Sequence, residues 1–210
     1  PEHEEAPVVL GAAADDLYEI KDFTRAIESG HKLVDRYPTA DKALRRSAWA
    51  VIAHSSIDIA EYPDAEVAYT NVLQLTEAGD ETRPAIVDGL AAAIYKQGEQ
   101  ANLLEDYRAA AGHFLRIKML APTSTIRSAA EYDAAAALYD EVPVIDAAVR
   151  FYEQYFDLYP RPLDIAMETR SRLSYIYHEQ MDYQRYFDEI NEMVDEDRDA
   201  GPERTDRSRL

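Results

Sequence analysis

A set of small and apolar residues recurs along the chain with the same internal spacing. Three copies carry the full pattern: Phe23, Ala26, Gly30, Leu33, Pro38, then Tyr107, Ala110, Phe114, Ile117, Pro122, then Ile145, Ala148, Tyr152, Tyr155, Pro160. Two further copies are partial: Tyr62, Ala65, Tyr69, Val72 and Tyr183, Tyr186, Ile190, Met193. The alanine-equivalent positions 26, 65, 110, 148 and 186 lie 39, 45, 38 and 38 residues apart, so one longer insertion precedes the third copy. A period of roughly 20 to 50 residues indicates a repeat architecture.

A second apolar stripe precedes these copies at offsets of three, four and seven residues, which is the spacing of one helix face. Its members are Leu10, Ala13, Ala14, Leu17, then Trp49, Ile52, Ala53, then Tyr132, Ala135, Ala136, Tyr139. Short breaks separate the two stripes at Lys21-Asp22, at 61–64 and at Val142-Pro143. The repeating unit is therefore predicted to be helix, turn, helix, with the alanine at the point where the two helices cross.

Composition agrees with a helical chain and excludes several classes of protein. Only 7 Gly and 10 Pro accompany 47% hydrophobic residues, and no cysteine is present for a disulfide, a thiolate nucleophile or a zinc ligand. No apolar stretch approaches the roughly 18 residues of a membrane span, so direct membrane insertion is not expected. A net charge of -19 disfavours binding to nucleic acid and to anionic lipid.

The paired stripes, the alanine and the closing proline resemble the tetratricopeptide repeat (TPR). Trp49 stands where that family has its first-helix aromatic residue, and Gly98 where it has its first-helix glycine. The closing segments VDRYPTA (34–40) and FDLYPRP (156–162) are similar to the longer repeats of bacterial envelope proteins of the BamD type and of the Tol-Pal coordinator type. Tyr186, in place of alanine, and Arg170, on the apolar stripe of the last first helix, depart from the pattern.

The resemblance implies an all-α fold, a right-handed α-α superhelical solenoid of about five helix pairs. The pairs are expected at 7–40, 46–79, 91–124, 129–162 and 167–200, after an acidic leader at 1–6 that does not read as a signal peptide. Residues 201–210 are expected to be the start of a further helix or a tail, as if the array continued.

No pattern of catalytic or ligating residues accompanies the repeat. The sequence has no Gly-rich phosphate loop, no G-x-S-x-G and no H-E-x-x-H. The five histidines, His3, His31, His54, His113 and His178, never fall at i and i+4. Acidic pairs such as Asp15-Asp16 and Asp140-Glu141 are interpreted as solvated faces. We therefore expect no enzyme activity, no cofactor and no metal.

Tyr18, Tyr95 and Tyr175 lie off the packing stripes on first helices. The resemblance implies that first helices line a concave groove, presenting Asp15, Tyr18, His54, Tyr95, Glu99, Asn102, Asp133, Asp140, Tyr175 and His178. Gly11 and Asp15 replace the Lys and Asn of the family's chaperone-tail clamp, so a terminal-carboxylate ligand is not expected. An acidic and aromatic groove favours a basic or aromatic segment of another protein.

The leading functional hypothesis is a protein-binding scaffold or adaptor in a periplasmic complex of the bacterial cell envelope. A cytoplasmic TPR adaptor in an assembly or signalling complex is the alternative. An enzyme or glycan-binding module built on helical repeats is a remote third.

Overall fold

The computed structural model describes residues 5–140, 145–159 and 163–200, and this part of the chain forms ten α-helices and no strand. The helices are α1 (Ala6–Glu19), α2 (Phe23–Arg36), α3 (Lys42–Asp58), α4 (Tyr62–Gln74), α5 (Arg83–Leu103), α6 (Tyr107–Leu120), α7 (Arg127–Asp140), α8 (Ile145–Leu158), α9 (Leu163–Glu179) and α10 (Tyr183–Ala200). The predicted breaks at Val142-Pro143 and Pro160, most of the leader, and residues 201–210 lie outside the described residues.

The helices pack in chain order. Each odd-numbered first helix packs against the even-numbered second helix that follows it, and α2, α4, α6 and α8 then pack against the next first helix. Neighbouring first helices also touch directly, α1 against α3 and α5 against α7. The predicted all-α solenoid of helix pairs is confirmed. We use the name inner layer for the row of first helices α1, α3, α5, α7 and α9.

Four of the turns inside helix pairs share one geometry. Lys21, Ala60, Glu105 and Met181 have φ of 62°, 63°, 59° and 58°, the left-handed region. In each turn the backbone N–H of the following residue returns to a carbonyl five residues earlier, at 2.8–3.0 Å. This is a Schellman motif, which normally places glycine at the left-handed position. Every one of these turns therefore carries backbone strain that a glycine would relieve.

An aspartate after the left-handed residue begins the second helix in three of these turns. Asp22, Asp106 and Asp182 each accept a hydrogen bond from the backbone N–H three residues later, at 3.0–3.3 Å. Such an N-cap satisfies an amide that has no partner inside the helix. One residue thus closes the first helix with its backbone and begins the second with its side chain.

The alanines of the repeat lie at the centre of the core. Ala26, Ala65, Ala110 and Ala148 are fully buried. Tyr186, the large ring at the fifth equivalent position, is only partly buried and packs against the edge of the core. The burial of the four alanines agrees with their predicted place at helix crossings, where a small side chain lets two axes approach to about 8 Å.

Two glycines permit close contacts between helices. A Cβ placed on Gly98 would lie 2.7 Å from Cδ1 of Phe114, and one on Gly30 would lie 2.7 Å from Cγ1 of Ile52. Real Cβ atoms do not approach other atoms so closely, so these positions require glycine if the neighbouring side chain is to stay. Gly98 thus lets the Phe114 ring lie directly on α5.

The third helix pair begins earlier than predicted. Its first helix starts at Arg83, ahead of the predicted 91, so the extra length before the third copy is partly helix. This early turn of α5 is used: Asp88 accepts hydrogen bonds from the Ser124 hydroxyl at 2.7 Å and from the Thr125 N–H at 2.9 Å. Ile86 and Val87 in these first turns are apolar and pack against the core, so the apolar periodicity of α5 begins before residue 91.

The other first helices also begin ahead of the predicted starts, α3 at Lys42 and α9 at Leu163 by four residues each, and α1 and α7 by one and two residues. For α3 the reason is an N-cap: the carboxylate of Asp41 accepts from the N–H groups of Ala43 and Leu44, at 2.8 and 3.3 Å. The cap, and not the first apolar residue, sets the beginning of this helix.

The fifth helix pair accommodates Arg170 through ion pairs. Its side chain is only 11% exposed, lies 3.7 Å above the Phe156 ring, and contacts carboxylate oxygens of Glu189 at 2.7 Å and Glu196 at 3.0 Å. A buried guanidinium is tolerated when carboxylates and a ring face surround it. The arginine that stands on the apolar stripe therefore links α9 to α10. In the described residues no helix has the length and apolar character to cross a membrane.

Candidate functional site

The predicted groove residues lie on the inner layer of first helices. They are distributed as Asp15 and Tyr18 on α1, His54 on α3, Tyr95, Glu99 and Asn102 on α5, Asp133 and Asp140 on α7, and Tyr175 and His178 on α9. The side chain of Asp140 lies outside the described residues. Asp15 is largely exposed, yet partial desolvation of its carboxylate, with the charges of Asp16 and Glu19, raises its pKa. The remaining residues form three separate groups.

The first group is an aromatic cluster between the first two helix pairs. The His54 ring lies 6.1 Å from the Tyr18 ring and 5.8 Å from the Tyr69 ring, edge-on to the latter. Burial, together with nearby Asp58, raises the pKa of Tyr18. Burial lowers the pKa of His54, although Asp58 opposes the change, and burial raises the pKa of Tyr69 to about 12. The imidazole is thus held neutral at pH 7, as an aromatic and hydrogen-bonding surface.

The second group connects α5 to α7. The Tyr95 hydroxyl donates a hydrogen bond to the Asp133 carboxylate, and its ring lies 5.0 Å from that of Phe114. Burial raises the pKa of Asp133, as does the charge of Glu99, while the Tyr95 hydrogen bond opposes the rise. The resemblance to the TPR family implies that Tyr95 and Asp133 line the groove. Their side chains bond each other across a repeat boundary, so the Tyr95 hydroxyl already has a hydrogen-bond acceptor within the chain.

A cleft of about 590 Å³ lies beside this group. It is lined by Tyr62, Lys96, Glu99, Gln100, Asn102 and Leu103. Glu99 forms an ion pair with Lys96, one helical turn away. The Oδ1 atom of Asn102 is buried and has no hydrogen-bond partner among the described residues. Leu103 is 84% exposed at the rim. The cleft combines apolar surface, an unused acceptor and a charge pair.

A smaller cleft of about 290 Å³ lies between α3 and α5, lined by Arg46, Ser47, Ala50, His54, Tyr69, Val72, Thr82 and Ile86. It brings the aromatic cluster to the surface of the inner layer. Arg46 is engaged elsewhere, since it contacts the Asp80 carboxylate at 2.8 Å. Of the predicted groove residues, His54 borders this cleft.

The third group lies at the end of the array. Tyr175 is 56% exposed. The His178 ring packs against Tyr183 at 6.0 Å and Tyr186 at 5.3 Å, both on α10. Where side chains are described, no ring contact or hydrogen bond connects Tyr175 or His178 with the other predicted groove residues. His178 belongs to the packing of the last helix pair.

Sequence reasoning missed the cations on this face. Lys96 lines the larger cleft. Arg172 lies 5.5 Å from the Tyr132 ring, pairs with Glu168 at 3.2 Å and lowers the pKa of Asp133 in part. The face is less uniformly acidic than predicted. Among the described residues no cluster of three or more His, Asp or Glu side chains could hold a metal ion.

Comparisons with known proteins give only structural neighbours. No protein-family model and no curated protein matches the sequence. The crystal structure of MamA has a TM-score of 0.49 and 16% identity, over 95% of this chain and 96% of that chain. YrrB, described as a TPR protein with an unusual peptide-binding site, has a TM-score of 0.45 and 15% identity, over 87% and 81%. The neighbours are TPR proteins. A putative kinesin light chain from Podosopora anserina, with nearly identical TPR-like repeats, has a TM-score of 0.39 and 14% identity, over 91% and 95%.

Proposed function

We propose that the chain is a non-catalytic scaffold that binds a segment of another protein along its first helices. The observation that carries this proposal is the cleft of about 590 Å³ between Tyr62 and Asn102. It is open, mostly apolar and centrally placed, and its wall carries the ion pair of Lys96 and Glu99. A few polar groups in an apolar cleft are typical of a binding site.

The chemistry of the face favours a segment with basic and aromatic side chains. Glu99 at the cleft and exposed Asp15 supply carboxylates, and the chain as a whole carries a charge of -19. Tyr18 and His54 offer ring faces and edges. Complementary charge speeds encounter with a basic partner, and each cation over a ring adds about 0.5 to 2 kcal/mol.

Site-specific photo-crosslinking tests the location of binding. A photoreactive amino acid is placed at Gln100 or Leu103, in the cleft, and for comparison at Met119, which is 76% exposed on the second helix α6. In cells of the source organism, the cleft positions should capture a partner that the α6 position does not. Equal capture from both sides would contradict the proposal.

The purified partner then allows a quantitative test. Glu99→Gln should weaken binding, and the effect should shrink between about 50 mM and about 500 mM salt because screening removes rim electrostatics. Glu28→Gln is the matched control, since Glu28 pairs with Lys32 on the second helix α2. Equal affinities for the two variants at low salt would place the partner elsewhere.

We place this scaffold in the bacterial cell envelope as part of the same proposal. Its support is the similarity of the Tyr-Pro closures at 37–38 and 159–160 to envelope repeat proteins. Expression of the complete gene with a tag, followed by fractionation and protease accessibility in spheroplasts, tests it. Protection of the tagged protein in intact spheroplasts would favour the cytoplasmic alternative.

A further inference from the structure

Helix α10 carries an apolar stripe that no described helix covers. Tyr183, Phe187 and Val194 are 51%, 56% and 61% exposed, and Ile190 between them is partly buried. Their spacing of four, three and four residues puts them on one line along the helix. We call these four residues the α10 stripe.

Several equivalent positions in earlier second helices are buried, whereas others, such as Glu66 and Lys118, are partly exposed. Phe187 corresponds to Ala111 in α6 and Val149 in α8, which are 2% and 7% exposed, and Val194 corresponds to Val34 in α2, which is 8% exposed. Each of those helices packs against the first helix of the next pair. The α10 stripe therefore has the residue types that other repeats use to bind a helix.

The opposite flank of α10 is already engaged. Glu189, Glu192 and Glu196 all face the Arg170 guanidinium, at 2.7, 3.6 and 3.0 Å. These contacts fix the rotation of α10 about its axis. The α10 stripe cannot turn inward to bury itself against α9 without breaking them.

The charge of α10 as a whole selects the occupant of the stripe. Asp195 and Asp199, elsewhere on the helix, keep 59% and 77% of their side chains exposed. The helix has seven acidic residues and only Arg185 and Arg198 as basic ones, and both arginines contact aspartates. A second copy of a chain with charge -19 would be repelled.

We propose that the α10 stripe is a docking surface for an amphipathic helix of another protein, with an apolar face bordered by lysine or arginine. Helices of this kind bind grooves and stripes through anchors at i, i+3, i+4 and i+7. The surface lies at the end of the array and uses no residue of the cleft, so it is a second interaction site beyond the scaffold function proposed above.

A designed peptide tests the surface directly. The probe is an 18-residue helix of leucine and lysine with leucine on one face, and its control has the same composition with leucines spread around the helix. Binding to the 210-residue protein is measured by fluorescence anisotropy. Phe187→Ser with Val194→Ser should weaken binding of the amphipathic peptide about tenfold or more, because buried anchors dominate helix binding.

The matched control removes two exposed apolar side chains elsewhere, Val67→Ser with Met119→Ser, whose exposures are 56% and 76%. It should bind the peptide like the wild type, and the spread-leucine peptide should bind all variants weakly and equally. Equal loss in both double variants, or no loss in the α10 variant, would overturn the proposal. Circular dichroism melts of both double variants check that they are folded.

Two further measurements distinguish docking on the α10 stripe from docking in the cleft and from self-association. Glu99→Gln in the cleft should leave peptide binding unchanged, and a loss there with no loss in the α10 variant would place the peptide in the cleft and reject this docking surface. Sedimentation velocity should show a monomer. A dimer that the α10 double variant disperses would mean that a second copy, and not a basic helix, occupies the stripe.

Discussion

Helices α6 and α10 hold the same place in their pairs, yet they are kept in the array by different means. α6 buries Ala110, Phe114 and Ile117 almost completely, whereas α10 has no buried residue and contacts α9 through the ion pairs of Arg170 and partly buried rings such as Tyr186. In a linear array each pair contacts only its neighbours. A helix with neighbours on both sides gains from close packing, and an end helix with one neighbour can be held by charge.

The sharpest way to break this comparison is to truncate one ring in each helix. Phe114→Ala should cost about 3 to 5 kcal/mol of unfolding free energy, since a fully buried ring leaves a cavity. Phe187→Ala, at 56% exposure, should change stability by less than about 0.5 kcal/mol. Urea unfolding followed by circular dichroism measures both. Similar costs would mean that α10 is packed far more tightly than its exposure indicates.

A second test compares two glycines of the third pair. Gly98→Ala should cost about 1 to 3 kcal/mol because the new methyl group meets the Phe114 ring. Gly112→Ala on α6 should gain about 0.5 to 1 kcal/mol, since nothing lies within 4 Å and alanine favours helix. Phe114→Leu should reduce the cost of Gly98→Ala. If the costs simply add, the close contact is not the cause.

The repeat pattern predicted most of the fold because its key residues act locally. A small residue such as Ala110 at a fixed distance from Phe114 marks a helix crossing in the sequence itself. The beginning of α5 was placed too late, although Pro84 in the first turn and the apolar Ile86 and Val87 mark an earlier start. The left-handed residues, such as Met181, were missed because glycine, the usual signal, is absent.

The candidate site was less predictable because its contacts cross repeat boundaries. The Tyr95–Asp133 hydrogen bond joins α5 to α7, between residues 38 positions apart. Which carboxylate meets which hydroxyl or guanidinium depends on the rotation of one helix pair relative to the next. The spacing inside a repeat carries no information about that rotation.

The third prediction concerns the end helix alone. Arg170→Met should cost about 1 to 2 kcal/mol, below the roughly 3 to 5 of a fully buried pair, because Glu192 and Glu196 can rehydrate. Hydrogen exchange should accelerate in α10 and leave α6 unchanged. Arg185→Met, which removes an exposed pair with Asp182, is the control and should change little. Acceleration throughout the array would show that the end pair is not held separately.

The fourth prediction compares the backbone strain in the turns of the third and fifth helix pairs. Glu105→Gly and Met181→Gly should each gain about 0.5 to 1 kcal/mol, since relief of the left-handed strain exceeds the added entropy of the unfolded chain. Gln100→Gly, inside α5, should lose about 1 kcal/mol. Equal gains in the two turns would locate the difference between the pairs in packing alone, and a loss at either turn would mean that its side chain has a role there.

The smallest effects are expected from two carboxylates that titrate in opposite directions. Burial raises the pKa of Asp133 above 3.8, so its native form binds more protons and its contribution to stability is greatest at low pH and lost as pH rises through the raised pKa. The hydrogen bond from Arg185 lowers the pKa of Asp182, whose contribution to stability is present above pH 3.8 and lost at lower pH.

Thermal melts at several pH values compare the wild type with Asp133→Asn and Asp182→Asn. On acidification from neutral pH, the wild type should gain relative to Asp133→Asn while the pH remains above 3.8, and it should lose relative to Asp182→Asn once the pH falls below that value. Because both carboxylates are at least partly solvated, the differences will be small. Parallel behaviour of the two variants would show that Asp133 is as well hydrated as the turn aspartate, and that the link between α5 and α7 is open to solvent.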